Sequence, residues 1–193
     1  MAERKGLNRQ TILDAAVQLV EEEGLPALSL QELARRLEVR TASLYNHIEG
    51  IGAVRQYITL FSSHELEAAI RDAAVGRSRE AALEAVAVAY RDFAQRHPHL
   101  YAAYIDSAKW EDAEVTHSRR SVEWVLNQVL TPQAGTSETL YFNRGFRSLL
   151  HGFICLEAAG FFQLGKRDES FRYVVRAYMA ALPQNGEEAC THE

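Results

Sequence analysis

The stretch from Ser29 to Ile48, SLQELARRLEVRTASLYNHI, constrains the fold more than any other part of the chain. Ser29 stands where a helix N-cap belongs, and Glu32 three residues on completes the capping-box pattern. Leu28 before the cap and Leu33 after it fit a hydrophobic staple. Leu30, Leu33, Ala34 and Leu37 then recur at helical spacing. Glu38, Val39 and Arg40 make a turn, and Thr41 is placed to cap a second helix whose Leu44 and Ile48 point inward. Ala42, Ser43, Asn46 and His47 are left facing outward. Two short helices, the second with a small and polar outer face, match an element that can enter the major groove of DNA.

The rest of the chain predicts an all-α protein. Its 47% hydrophobic content supplies a core, and only 4 prolines and 11 glycines argue against a loop-rich fold. Asn8 is placed to cap a first helix with Ile12, Ala15, Ala16, Leu19 and Val20 inside and Gly24 at its end. A long helix is expected from about Ala53 to Ala74, broken at Gly76. Further helices follow from Ser78 to His97-Pro98, Leu100 to Ala108, Ala113 to Leu130 and Ser137 to about Gly160, with a last one through Phe171 to Leu182. The expected division is a DNA-binding domain at 1–52, a helical ligand and dimerisation domain at 53–183, and a disordered tail at 184–193. That is about nine helices in all. No alternating strand pattern and no internal repeat stand out.

Charge and special motifs exclude several function classes. The net charge of −5 is unlike many nucleic-acid-binding proteins. Placement offsets this: Arg4, Lys5 and Arg9 form a basic arm, Arg35, Arg36 and Arg40 flank the helix pair, and Glu21, Glu22 and Glu23 end the first helix on a side expected to face away from DNA. Local charge, not the total, sets phosphate contact. No apolar run is long enough to span a bilayer, and the N-terminus lacks the apolar stretch of a signal peptide. Cys155 and Cys190 show no metal spacing. Cys155 is expected as a core thiol, and a reduced cytoplasmic setting is the simplest expectation. No catalytic, phosphate-loop or metal motif is found, so neither an enzyme nor a cofactor is expected.

TILDAAVQLVEEEG, ALSLQELARRLEV and TASLYNHI in succession resemble the TetR/AcrR family of transcriptional regulators, and LLHGFICLE at Leu149–Glu157 resembles one subgroup. The resemblance implies an all-helical homodimer that binds a palindromic operator of double-stranded DNA and is usually released by a small molecule. Carried over by position, the DNA contacts are Arg40, Thr41, Ser43, Tyr45, Asn46 and His47. The family's phosphate-binding lysine after the recognition helix is absent here. Ile51 stands nearest to it, and Arg55 one turn on is a substitute.

The chemistry of these side chains fits the implied roles. Thr41 and Ser43 hydroxyls sit beside the first amides of a helix, where a phosphate can be held. Tyr45 can lie along the backbone, and Asn46 can pair with adenine. Arg4, Lys5 and Arg9 can follow phosphates or enter the minor groove.

For an effector, the candidates are Tyr90, Phe93, Tyr101, Tyr104, Trp110, Trp124, Phe142 and Phe146, around a largely apolar small molecule. For the homodimer, the candidates are Phe153 and Ile154 with Phe171, Val174, Val175, Tyr178, Met179 and Leu182, packed as a four-helix bundle. The two-fold would then set the recognition helices about 34–36 Å apart or wider. The competing expectation keeps the DNA binding but places control with a protein partner or with no effector at all. His97-Pro98-His99 is expected as an exposed helix end. His151-Gly152 is expected to mark close packing, with the histidine hydrogen-bonded.

Overall fold

A computed structural model describes residues 6–130 and 137–180, and within them the chain is entirely helical. The order is α1 (Arg9–Glu23), α2 (Leu30–Arg36), α3 (Thr41–Leu44), α4 (Ile51–Ala74), α5 (Arg79–Arg96), α6 (Pro98–Asp106), α7 (Ala113–Leu130), α8 (Ser137–Ala158) and α9 (Arg167–Met179). Short 3₁₀ turns at Leu25–Ala27 and Ser107–Lys109 follow α1 and α6. Arg4, Lys5, Leu182 and the tail lie outside the described residues.

Local sequence accounts for the first helices. The Asn8 side chain accepts from Thr11 N–H at 2.9 Å, satisfying one of the amides that a helix start leaves unpaired. Gly24 ends α1 at φ 82°, and its amide donates to Val20. Ser29 accepts from the Glu32 amide at 3.2 Å. The capping box is only half made, because the Glu32 carboxylate turns to Arg35 rather than back to the cap.

The α2–α3 turn departs from expectation by one residue. Arg40, extended at φ −78° and ψ 142°, is the N-cap, without a side-chain bond, and Thr41 is already the first helical residue. α3 lasts only one turn. Tyr45 to His47 continue as a turn, in which the amides of His47 and Ile48 both donate to the Leu44 carbonyl. Gly50 starts α4 at φ 140°, a conformation that a side chain rarely adopts, so the new helix leaves the recognition turn abruptly.

α4 is the central beam and packs on α1, α5, α6 and α7. Val54, Ile58, Leu66 and Ile70 are fully buried along it. Thr59, Ser62 and Ser63 are buried too, and their hydroxyls donate to the carbonyls four residues back, on Arg55, Ile58 and Thr59. Small, self-satisfied side chains let α4 lie close to its neighbours without an unpaired polar atom.

The last two helices use their apolar stripes within the protomer. Phe171 and Val175 of α9 are each 1% exposed, and Phe153 and Ile154 of α8 are also buried. Phe171 meets Phe153 edge-on at 5.0 Å, under the Arg91 guanidinium 4.9 Å from its ring. These four residues, expected on a dimer face, are interior: an amphipathic stripe must be covered, and α5 and α8 already cover this one. Val174, Tyr178 and Met179 are half-buried. Close helix packing falls at Gly145, where a Cβ would collide with the Tyr178 hydroxyl, and not at Gly152, where it would meet open space. Cys155, expected in the core, is exposed.

Candidate nucleic-acid interface

Leu44 and Ile48 anchor the recognition segment, at 0% and 7% exposure, in the same core as Leu33 and Ala34 of α2. With that face fixed, the intervening residues have nowhere to go but out. Tyr45 is 59% exposed, and Arg40, Ala42 and Asn46 are exposed beside it. Thr41, Ser43 and His47 are half-buried on the flanks. The structure therefore brings Arg40, Thr41, Ser43, Tyr45, Asn46 and His47 onto one continuous segment.

Basic residues around it divide into paired and unattached. Arg35 forms a two-pronged contact with Glu32, at 2.5 and 2.9 Å, which holds the Glu32 carboxyl below its usual range. Arg36 reaches Glu22 at 2.7 Å and Glu23 at 2.6 Å, tying α2 to the end of α1. Both arginines are thus committed to the scaffold. The same contacts explain the acidic end of α1: Glu22 and Glu23 hold Arg36, and Glu21 lies 2.6 Å from His97 Nδ1. Arg9, Arg40 and Arg55 are exposed, with Arg9 at the start of α1 and Arg55 in the second turn of α4.

An open cleft of about 700 Å³ lies behind the recognition turn, bordered by Arg9, Tyr45, Asn46 and His47 and floored by Val54, Tyr57 and Phe61 of α4. The C-terminal end of α1 is braced against α6. His99 of α6 sits against Gly24, and the His97–Glu21 contact lies next to it. The His-Pro-His segment is therefore a joint between α1 and α6, rather than a merely exposed helix end.

The sequence-proposed effector residues scatter. Tyr90, Phe93, Tyr101, Tyr104 and Phe146 are buried, Phe142 and Trp110 are half-buried, and Trp124 points outward at 57% exposure. Trp124 thus lies outside the interior of the body: α7 turns it away while Val122, Val125 and Leu126 face in. Sequence reasoning missed Arg147, which donates to the Tyr104 hydroxyl, and Glu123, which holds Arg147; His151, expected to be hydrogen-bonded, meets the Tyr101 hydroxyl at 2.7 Å. They come from α7 and α8, far from α5 and α6 in the chain. Among the described residues no group of His, Cys, Asp and Glu could hold a metal ion, and no helix is long and apolar enough to cross a membrane.

A capped helix, a tight turn and a short anchored helix with an outward polar face define a helix-turn-helix protein. Comparison with known proteins narrows this. A profile described as "Bacterial regulatory proteins, tetR family" matches residues 12–48, and one described as "Tetracyclin repressor-like, C-terminal domain" matches residues 83–178. The chain is 31% identical over 185 residues to the uncharacterised HTH-type transcriptional regulator YobS of Bacillus subtilis, covering 94% of this chain and 96% of that one. It is 29% identical over 156 residues to the uncharacterised HTH-type regulator Rv0681 of Mycobacterium tuberculosis, covering 80% and 72%. Among solved structures, a protein of unknown function from Rhodococcus sp. RHA1 superposes with a TM-score of 0.83 at 23% identity, covering 95% of this chain and 100% of that one. The TetR family regulator PfmR from Thermus thermophilus does so with a TM-score of 0.64 at 20% identity, covering 90% and 99%. The chain belongs to the TetR family of DNA-binding transcriptional regulators.

Proposed function

We propose that the protein is a homodimeric repressor that binds a palindromic operator and is released when a small molecule enters the helical body. The observation that carries the DNA half is the outward row of Arg40, Tyr45 and Asn46 above the buried anchors Leu44 and Ile48. Thr41, Ser43 and the first amides of α3 hold phosphate, since no side chain caps that helix. Asn46 and Arg40 read base edges, Tyr45 and His47 lie along the backbone, and Arg55, Arg9, Arg4 and Lys5 add phosphate contacts. In this reading residues 1–52 act as the reading head and residues from 53 onward as the effector and dimer body.

Support for the dimer comes from faces that the protomer leaves open. On α8, Ser148, Gly152 and Cys155 form a small-residue stripe beside Leu156, which is 45% exposed. On α9, Tyr173 is 74% exposed, with Ala177 one turn on. Two copies joined along these stripes form a four-helix bundle. The dimer residues are therefore the outward ones, with half-buried Val174, Tyr178 and Met179 at the margin.

Release requires the effector to favour a body conformation incompatible with operator spacing. The α1–α6 joint at His97 and Glu21, together with α4, is the mechanical link between body and reading head. Binding of the intact protein to DNA flanking its own gene, followed by gel shift with a library of small molecules, tests this. Release by a compound is the expected result. Binding that no compound alters favours control by a protein partner.

A further inference from the structure

The body carries a polar seam where a helical bundle is ordinarily apolar. Arg147 of α8 donates to Glu123 of α7 at 2.5 Å and to the Tyr104 hydroxyl at 3.3 Å. One helical turn away along each helix, earlier on α8 and later on α7, Asn143 donates to Asn127 at 2.6 Å. Residues four apart share a helix face, so both pairs open onto the same α7–α8 seam. The buried Asn143 leaves its Oδ1 without a partner. The Arg147 and Glu123 side chains keep 28% and 37% of their surface exposed, so the ion pair stands at the solvent end of the seam, with Tyr104 behind it.

Ion pairs in such settings contribute little net stability relative to apolar side chains of the same volume, so stability alone does not explain the seam. An orphaned buried acceptor likewise costs stability unless something donates to it. Both features suit a bound molecule of defined chemistry. A guanidinium fork can hold a carboxylate through two bonds; here Glu123 takes only Nη1, as an internal stand-in, and the Tyr104 hydroxyl takes Nη2. The free Asn143 carbonyl requires a hydroxyl or similar donor about one helical turn, roughly 5 Å, away.

From this geometry we infer that the effector is a small hydroxylated carboxylic acid: its carboxylate displaces Glu123 from Arg147, and its hydroxyl donates to Asn143. The inference rests on the effector-responsive reading above and replaces the largely apolar molecule expected from sequence with a short hydroxy acid. The displaced Glu123 side chain turns to the solvent it already touches. Displacement exchanges an α7–α8 tether for a ligand bridge, a change in the body that can be felt at α4, against which α7 packs.

The test uses the full-length protein and thermal-shift titrations with 4-hydroxybenzoate, benzoate and 4-hydroxybenzamide. The expected order is a saturable rise in melting temperature with 4-hydroxybenzoate, a weaker response to benzoate and none to the uncharged amide. Glu123→Gln removes the internal competitor and is expected to lower the half-saturating concentration about tenfold. Arg147→Met is expected to abolish the response. Should that variant not fold, Arg147→Lys, which keeps the charge but loses the fork, is expected to weaken it. Equal responses to acid and amide, or a Glu123→Gln protein no more sensitive than the wild type, overturn the proposal. A protein that binds its operator and is released by neutral apolar compounds alone also overturns it, while leaving the effector-responsive reading intact.

Discussion

Arg91 of α5 clasps Glu157 of α8 through two parallel hydrogen bonds, 2.8 Å from Nε and 2.6 Å from Nη2. Both side chains are 8% exposed. The third donor, Nη1, reaches Asp168 of α9 at 2.8 Å, and the guanidinium lies against the Phe153 and Phe171 rings. One side chain thus joins three helices just where α8 hands over to α9.

Removing one partner leaves the other charge buried and unpaired. Arg91→Ala is expected to destabilise the protein by about 3–5 kcal/mol, read from urea denaturation. Arg91→Met with Glu157→Leu, which removes both charges and keeps the volume, is expected to recover most of that loss. A single variant within about 0.5 kcal/mol of wild type would show that the clasp is not structural.

The same pair sets an acid limit. Hydrogen bonding to Arg91 holds the Glu157 carboxyl below its usual range. A depressed carboxyl stabilises the fold fully above its unfolded value of about 4.3, and that stability is lost as pH falls toward the lower folded value. Melting temperature is therefore expected to drop below about pH 4.3 in wild type, and less steeply in Glu157→Gln. Identical acid profiles would contradict this.

Much of the reading head is legible from sequence because its determinants are local. Asn8 and Ser29 cap within three residues of themselves, and Leu44 and Ile48 face inward by spacing alone. Arg36 is not legible in this way, since its partners Glu22 and Glu23 lie 13 and more residues back, across a turn. The α9 stripe shows the limit differently. Periodicity says that Phe171 and Val175 are buried but not against what, and the partner is this protomer's own core. Gly152 and Cys155 face outward for the same reason: the buried arc of α8 passes through Phe146, Leu150, Phe153 and Ile154 instead.

That correction separates two substitutions that sequence alone would group together. Val175→Asp buries an unpaired charge at a site 1% exposed and is expected to unfold the protomer, seen as lost helical circular dichroism. Gly152→Arg enters open space in the protomer and is expected to leave the fold intact while giving a monomer mass by light scattering. A dimeric Gly152→Arg protein would move the interface off the α8 stripe.

Gly50 fixes how α4 departs from the recognition turn. At φ 140°, Gly50→Ala is expected to cost about 1–3 kcal/mol and to weaken DNA binding by misorienting the turn. Unchanged stability and affinity would show that the backbone there adapts freely.

The central claim is that the Arg40–His47 segment is the DNA-reading surface. Fluorescence anisotropy on DNA flanking the protein's own gene, with scrambled DNA as the reference, tests it most directly. The account predicts preferential binding that weakens about a thousandfold or more between about 50 and 200 mM salt. It also predicts that Asn46→Ala loses the preference while Tyr45→Ala weakens binding to both DNAs roughly five- to tenfold. Equal affinity for the two DNAs, or variants that bind as the wild type does, would contradict it.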